Sequence, residues 1–144
     1  MAAINAAAAQ AELMEKEKVI MEQQQKVQHL KSNLANMSNH QVALEREKRR
    51  SQITLTELGR LDAAHTVYKG IGRMFVASSV TNLINDHSDR EAKCGAEATR
   101  LSEEKKRLAG AIQKEEEQLQ HAVGDFMGAV RMLQATQQLQ ANQN

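Results

Sequence analysis

Apolar residues recur every seven positions along the first third of this 144-residue chain, and this repeat restricts the fold more than any other feature. Its two interleaved series are Leu13, Ile20, Val27 and Leu34, and Leu30, Met37 and Leu44. Such spacing is the a/d pattern that packs one helix against another in a coiled coil. Gln23 and Gln41 fall at the same kind of position and make the stripe locally polar. The repeat predicts a first coiled-coil helix over residues 11–50.

A second repeat of the same kind follows, and polar residues interrupt it most heavily between His87 and Glu91. Its positions are Val80, Ile84, His87, Glu91, Cys94, Ala98, Leu101, Lys105, Leu108, Ile112, Glu115, Leu119, Ala122, Phe126, Ala129 and Leu133. Because Ser78 or Ser79 can cap a helix there, we expect a second coiled-coil helix over residues 80–135. The chain contains no proline that would break either helix. We expect the two helices to fold back on each other and pack antiparallel.

The segments outside these repeats are expected to differ from them. Residues 1–10 are rich in alanine, and residues 136–144 are rich in glutamine and asparagine. We expect a flexible N-terminal tip and a flexible tail, respectively. Residues 51–79 separate the two repeats and are predicted to contain a short helix, capped by Thr54 or Thr56, followed by a strand-forming stretch.

That stretch, VYKGIGRMFV at residues 67–76, differs in composition from its surroundings. Aromatic residues make up only 2% of the chain, yet Tyr68 and Phe75 both lie here. Residues 66–69 and 74–77 are candidate strands, and the glycines between them suit a tight turn. The stretch therefore predicts a β-hairpin.

A hairpin of this size is marginally stable by itself, and its exposed edges can pair with other chains. We therefore expect it to be an oligomerisation element that joins this chain to others. Its predicted contact residues are Val67, Tyr68, Gly70, Ile71, Gly72, Arg73, Met74, Phe75 and Val76.

The hairpin motif resembles that of a known family. From Tyr68 to Phe75 the order is aromatic, charged, Gly, aliphatic, Gly, Arg, Met and Phe. Placed between two coiled-coil helices, this order is similar to the hairpin of prefoldin subunits, particularly the eukaryotic members of the β class. The preceding TLTELGRLDAAHTVY resembles the segment before the family's first strand. One hairpin rather than two also fits the β class.

The resemblance implies a fold and a function. Prefoldin subunits are mainly α, with two long helices in an antiparallel coiled coil, and their hairpins assemble into a β-barrel body. Two α-class and four β-class subunits form a hetero-hexamer. The resemblance implies a cytoplasmic cochaperone that captures unfolded actin and tubulin at its coiled-coil tips. Delivery to the cytosolic chaperonin then needs no ATP.

The tips, where the ends of the two predicted helices meet, hold more apolar residues than one packing stripe can bury. The predicted client-binding residues are Leu13, Met14, Phe126, Met127, Val130, Met132 and Leu133. Methionine is flexible and suits varied apolar partners. Gly124 and Gly128 weaken the helix around Phe126, so we expect this region to adapt to different clients.

Two other interpretations involve binding. The heptads alone would also fit a structural coiled-coil adaptor that tethers partner proteins, although such an adaptor needs only a turn in place of the hairpin. The basic residues Lys48, Arg49 and Arg50 lack the interleaved aromatic residues of a base-stacking surface. With a net charge of +1, and no apolar run near the ~20 residues that span a bilayer, we expect neither a nucleic-acid nor a membrane partner.

The sequence also predicts that the protein is not an enzyme. No nucleophile, base and orienting group are grouped in the sequence, and its histidines are scattered. His87 and Cys94 lie one heptad apart, which on a helix is about 10 Å and too far for a shared metal. We therefore expect no metal site and no cofactor. A single cysteine excludes an intrachain disulfide framework and suits the cytoplasm.

Overall fold

The computed structural model describes residues 2–143 and contains two long helices with a β-hairpin between them. Its elements are helix α1 (Ala2–Gly59), strand β1 (Thr66–Ile71), strand β2 (Met74–Ser79) and helix α2 (Val80–Asn142). The predicted mainly α fold with a hairpin between two long helices is confirmed. The chain divides into two compact units. We call the residues up to Leu34 and from Arg107 onward the terminal unit, and Ala35–Lys106 the central unit.

In the terminal unit, the first part of α1 packs antiparallel against the last part of α2. Residues 5–13 of α1 line a groove together with residues 129–140 of α2, whereas Gln23 bonds to the backbone oxygen of Glu115. Val27 and Ile112 are buried apolar side chains of this unit, each 7% exposed. Burial of these apolar side chains between the helices is the main source of stability of such a pair.

In the central unit, the helices are also antiparallel: residues farther along α1 bond to residues with lower numbers on α2. Gln41 accepts a hydrogen bond from Lys105 at 3.0 Å, and Gln52 donates one to Glu91 at 2.8 Å. The buried apolar residues of this unit are Leu58, Val80, Leu83, Cys94 and Leu101.

The predicted heptad positions agree with the observed burial in both helices. Every residue assigned to the stripes of α1 and α2 is buried or half-buried, including the glutamines and the polar positions of α2. The predicted cap is also confirmed at Ser79, whose hydroxyl accepts a hydrogen bond from the Asn82 amide at 3.1 Å. The heptad pattern therefore identified the inner face of each helix correctly.

The predicted short helix after residue 50 is wrong, because α1 continues without interruption to Gly59. Ser51 and Leu58 extend the heptad and are both buried. The hydroxyls of Thr54 and Thr56 donate to the carbonyls of Arg50 and Gln52, four residues back, at 2.9 and 3.0 Å. This bonding places both threonines inside a helix rather than at a cap.

Helices reach almost to both ends of the described chain, with Gln143 in a turn after α2. Residues 2–10 belong to α1, and α2 continues past residue 135 to Asn142. The flexibility predicted for residues 1–10 and 136–144 stays a prediction, and Met1 and Asn144 lie outside the described residues.

Candidate functional site

The hairpin, the first candidate surface, is longer than predicted and has a tighter turn. Six residue pairs join β1 to β2 in antiparallel register, from Thr66 with Ser79 to Ile71 with Met74. The turn contains only Gly72 and Arg73, rather than the four residues expected. Gly72 has φ of 60°, a left-handed conformation that glycine adopts readily. A single positive φ at the first turn position is typical of a type II′ hairpin turn.

The hairpin exposes apolar side chains on both of its faces. Residues paired across the two strands point to the same face, and successive pairs alternate between faces. One face carries Tyr68 and Phe75, which are 65% and 78% exposed. The other carries Ile71, Met74 and Val76, which are 52%, 67% and 46% exposed. A two-stranded sheet with large apolar residues exposed on both faces is suited to being covered by other chains.

The ring of Phe75 lies over the backbone of Gly70 on the opposite strand. A side chain added at Gly70 would meet the Cε1 atom of that ring at 3.8 Å. An aromatic ring that covers a cross-strand glycine protects the backbone there and helps to fix the register of the strands. Gly70 therefore lies under the Phe75 ring on the exposed aromatic face of the hairpin.

A salt bridge connects the hairpin to α2. Lys69 Nζ lies 3.4 Å from Asp86 Oδ2. Beside this pair is an open groove of about 480 Å³ that is also lined by Tyr68, His87 and Arg90. Because the side chains of Lys69 and Asp86 are both about half exposed, the pair stabilises the structure only weakly.

The second candidate surface consists of the seven predicted client-binding residues, all of which lie in the terminal unit. The structure divides them into two groups. Half-buried between the helices are Leu13, Phe126, Val130 and Leu133. The exposed group consists of Met14, Met127 and Met132, which are 71%, 50% and 74% exposed.

Among the described side chains of the terminal unit, four further large apolar residues are exposed and were not predicted. They are Val19, Met21, Val123 and Leu139, with exposures of 46%, 56%, 39% and 64%. The heptad register could have identified Met21, since it lies seven residues after Met14 and therefore at the same outer position. The terminal unit also has a groove of about 370 Å³, lined by Leu13, Met132 and Leu133 among others. Such a surface can bind apolar segments of varied sequence.

A polar cluster links the two helices in the terminal unit. Lys26 Nζ lies 2.7 Å from Glu115 Oε1, and Gln23 donates to the other oxygen of the same carboxylate. The hydrogen bond from Lys26 and, after it, that from Gln23 hold the pKa of Glu115 below its ordinary value, against a smaller opposing effect of desolvation. The ionised carboxylate is therefore the form that this pairing of the helices favours.

The described residues contain neither a cluster of metal ligands nor a helix suited to crossing a membrane. In residues 2–143, His, Cys, Asp and Glu side chains do not group in threes as metal ligands. Over the same residues, neither helix has a segment long and apolar enough to span a membrane. Cys94 is a free, buried thiol in the packing stripe.

Comparison with known proteins points to one family. The sequence profile of a family described as "Prefoldin subunit" matches residues 21–126. The prefoldin subunit beta of Methanosarcina barkeri is 28% identical over 102 residues, which cover 71% of this chain and 85% of that protein. The crystal structure of the prefoldin beta subunit from Thermococcus strain KS-1 matches with a TM-score of 0.62 at 16% identity, over 72% of this chain and 90% of that one. Members of this family are chaperone subunits rather than enzymes. With more than half of its residues matched, the chain belongs to the prefoldin subunit family, and both relatives compared are of the β class.

Proposed function

We propose that this chain is a β-class subunit of a hetero-hexameric prefoldin, with two α-class and four β-class subunits, in the cytoplasm. The assembly captures unfolded proteins, including actin and tubulin, and delivers them to the cytosolic chaperonin without ATP. Within the family, we propose that it corresponds to eukaryotic prefoldin subunit 1, on the basis of the motif from Tyr68 to Phe75. Support comes from the family match together with one structural observation: a hairpin that exposes apolar residues on both faces.

Assembly through the hairpin follows from the energetics of its exposed residues. Phe75 and Met74 are 78% and 67% exposed in the single chain. Burying side chains of this size is worth roughly 1.5–3 kcal/mol each. Several such residues on two faces, together with unpaired strand edges, favour covering by neighbouring hairpins. The hairpin therefore supplies the contacts of the proposed body.

Capture of unfolded proteins is assigned to the terminal unit. Three of its exposed methionines, Met14, Met127 and Met132, offer flexible thioether side chains to apolar segments of a client. The other four predicted residues, Leu13, Phe126, Val130 and Leu133, are half-buried. In this proposal the methionines contact the client directly, and the half-buried group keeps the two helices together.

The proposal is tested by suppression of aggregation of denatured actin. The triple variant Met14→Gln, Met127→Gln and Met132→Gln keeps side chains that favour a helix but removes the apolar contacts. In the assembled complex we expect it to suppress aggregation far less than the wild type. Leu61→Gln is the matched control, because Leu61 is apolar and 41% exposed but lies in the central unit.

Three outcomes separate the alternatives. Loss of suppression in the triple variant only, with assembly intact, supports client capture by the terminal unit. Equal suppression by the wild type and the triple variant contradicts that assignment. A wild-type complex that assembles but never slows aggregation favours the structural adaptor instead.

A further inference from the structure

The outer face of α1 in the central unit combines apolar and basic side chains in a single stripe. Val42, Arg46, Arg49 and Ile53 follow one another at intervals of four, three and four residues. This spacing places them on one side of the helix. The packing positions Gln41, Leu44, Lys48 and Ser51, in contrast, are buried or half-buried. We call Val42, Arg46, Arg49, Arg50 and Ile53 the basic outer face.

Packing within the chain does not account for this face. Val42 and Ile53 are 55% and 58% exposed, and a solvated outer position does not require a β-branched apolar residue. Along the described part of the central unit, Arg46 and Arg49 make no ion pair within 4.0 Å, whereas Arg50 makes one with Glu47 at 3.6 Å. Other arginines of the same unit are paired, such as Arg90 with Glu47 and Arg100 with Glu97. The face therefore presents unmatched positive charge beside exposed apolar surface.

We propose that the basic outer face is a docking site for an acidic amphipathic helix of a partner protein. Val42 and Ile53 are eleven residues apart, which corresponds to about 16 Å along the helix axis. A partner helix of three to four turns can therefore contact both with its apolar side chains. Its carboxylates then meet the guanidinium groups of Arg46 and Arg49, which form paired hydrogen bonds with carboxylates especially well.

An acidic protein segment fits this face better than the other polyanions do. Nucleic acid could bind the arginines through its phosphates, but Val42 and Ile53 would contribute nothing to that binding. No aromatic side chain lies near the arginines in the sequence to stack on a base. A membrane surface requires a broader apolar face on the same helix than these two residues provide. The combination of two separated apolar side chains with arginines between them is what an amphipathic acidic helix complements. This inference does not depend on the proposed cochaperone function.

The binding test uses the complete chain in its assembled form and a fluorescent synthetic peptide. The peptide is about 18 residues long, which gives five helical turns, and carries two leucines eleven positions apart with glutamates between them. A second peptide replaces every glutamate by glutamine, and a third replaces both leucines by serine. Fluorescence anisotropy gives the Kd of each. We expect the acidic amphipathic peptide to bind most tightly and to lose affinity as salt is added.

Two double variants then locate the binding surface. R46E/R49E reverses the charge of the face, and K93E/K106E makes the same change in net charge at exposed positions of α2 in the same unit. We expect R46E/R49E to weaken peptide binding at least about tenfold, since it replaces attraction by like-charge repulsion. K93E/K106E should change the Kd by less than about twofold. Ile53→Ser should weaken binding without altering its salt dependence. Circular dichroism checks that each variant remains helical.

Several results would overturn the proposal. One is the absence of peptide binding, which would also result if a neighbouring subunit covers the face. Another is equal binding of the glutamate and glutamine peptides, or equal loss in the two double variants. Tighter binding of a single-stranded oligonucleotide or of anionic lipid vesicles, lost in R46E/R49E, would assign the face to nucleic acid or membrane instead.

Discussion

Lys26 on α1 and Glu115 on α2 form a close ion pair between the two helices of the terminal unit, with Nζ and Oε1 2.7 Å apart. Gln23, one turn before Lys26, donates to the same carboxylate and to the backbone oxygen of Glu115. A glutamine in a packing stripe gives up apolar contact, and a polar partner across the stripe specifies register in return. The cluster therefore fixes which part of α2 lies opposite Gln23.

The first prediction concerns the pH dependence of stability. Because the hydrogen bonds from Lys26 and then Gln23 lower the pKa of Glu115 in the folded chain, its ionised form stabilises the fold. This contribution is present above the carboxyl's unfolded pKa and is lost as the pH falls through the folded value. We expect Glu115→Gln to lower the melting temperature near neutral pH, and the difference from wild type to shrink on acidification.

Thermal unfolding followed by circular dichroism across the acid range measures this difference. Glu117→Gln is the matched control, because Glu117 is exposed on the same helix and its one recorded bond, from Gln113, is long at 3.5 Å. A difference between Glu115→Gln and wild type that stays constant with pH would show that the carboxylate charge has no role.

The second prediction concerns Ser51, which is 1% exposed. Within residues 2–143 its hydroxyl oxygen has no hydrogen-bond partner. A buried hydroxyl without a partner costs about 1–3 kcal/mol. We therefore expect Ser51→Ala to raise the free energy of unfolding, by about 1 kcal/mol or more.

Because alanine also has a higher helix propensity than serine, a control must separate this effect from the removal of the buried hydroxyl. Ser32→Ala makes the same exchange at an exposed position of α1, and we expect it to stabilise by about 0.5 kcal/mol. Denaturant unfolding of both variants measures the two effects. Destabilisation by Ser51→Ala would mean that the hydroxyl is satisfied in solution, for instance by a bound water molecule.

The third prediction tests the apolar stripe of the central unit. Leu101 is 5% exposed, and its truncation to alanine leaves a cavity that the two helices cannot close completely. We expect Leu101→Ala to lower the free energy of unfolding by roughly 2–4 kcal/mol. Val42→Ala is the control, since Val42 is 55% exposed on the outer side of α1. Similar unfolding curves for the two variants would contradict the assigned inner face.

The fold was largely predictable because a strict heptad leaves little choice of inner face. Every predicted position of the α2 stripe, including the polar ones, is buried or half-buried. Ser79, which caps α2, was one of the two predicted caps. The end of α1 was missed because Ser51 breaks the apolar pattern, although Leu58 resumes it one heptad later. Thr54 and Thr56 added to the error, since a threonine hydroxyl serves a helix interior as well as a cap.

The candidate site was less predictable, because exposure depends on how the two helices pair. Val130 lies outside the heptad series assigned to α2, yet it is half-buried. The ion-pair partner of Lys26 was not predicted for the same reason. A glutamate at the favourable spacing precedes it at Glu22, but Lys26 pairs with Glu115, 89 residues farther along the chain. Long-range pairing of this kind is not contained in local spacing.

The fourth prediction concerns the hairpin. Phe75 is 78% exposed in the single chain, so replacing it should not disturb the packing between the helices. We expect Phe75→Asp to abolish assembly, because burying a carboxylate against neighbouring hairpins is costly, while helical circular dichroism persists. Leu61→Asp, at an exposed apolar residue outside the hairpin, should assemble normally. Size-exclusion chromatography with light scattering distinguishes these outcomes, and normal assembly of Phe75→Asp would contradict the proposed role of the hairpin.

The proposed assembly is tested most directly by native mass spectrometry of the complex purified from its own source. Exposed apolar residues on both faces of residues 66–79 predict a complex in which this hairpin is covered by other subunits. We expect a mass corresponding to six subunits, with this chain among four of the β class. A mass of 16.0 kDa, that of the chain alone, from a stably folded protein would contradict the account.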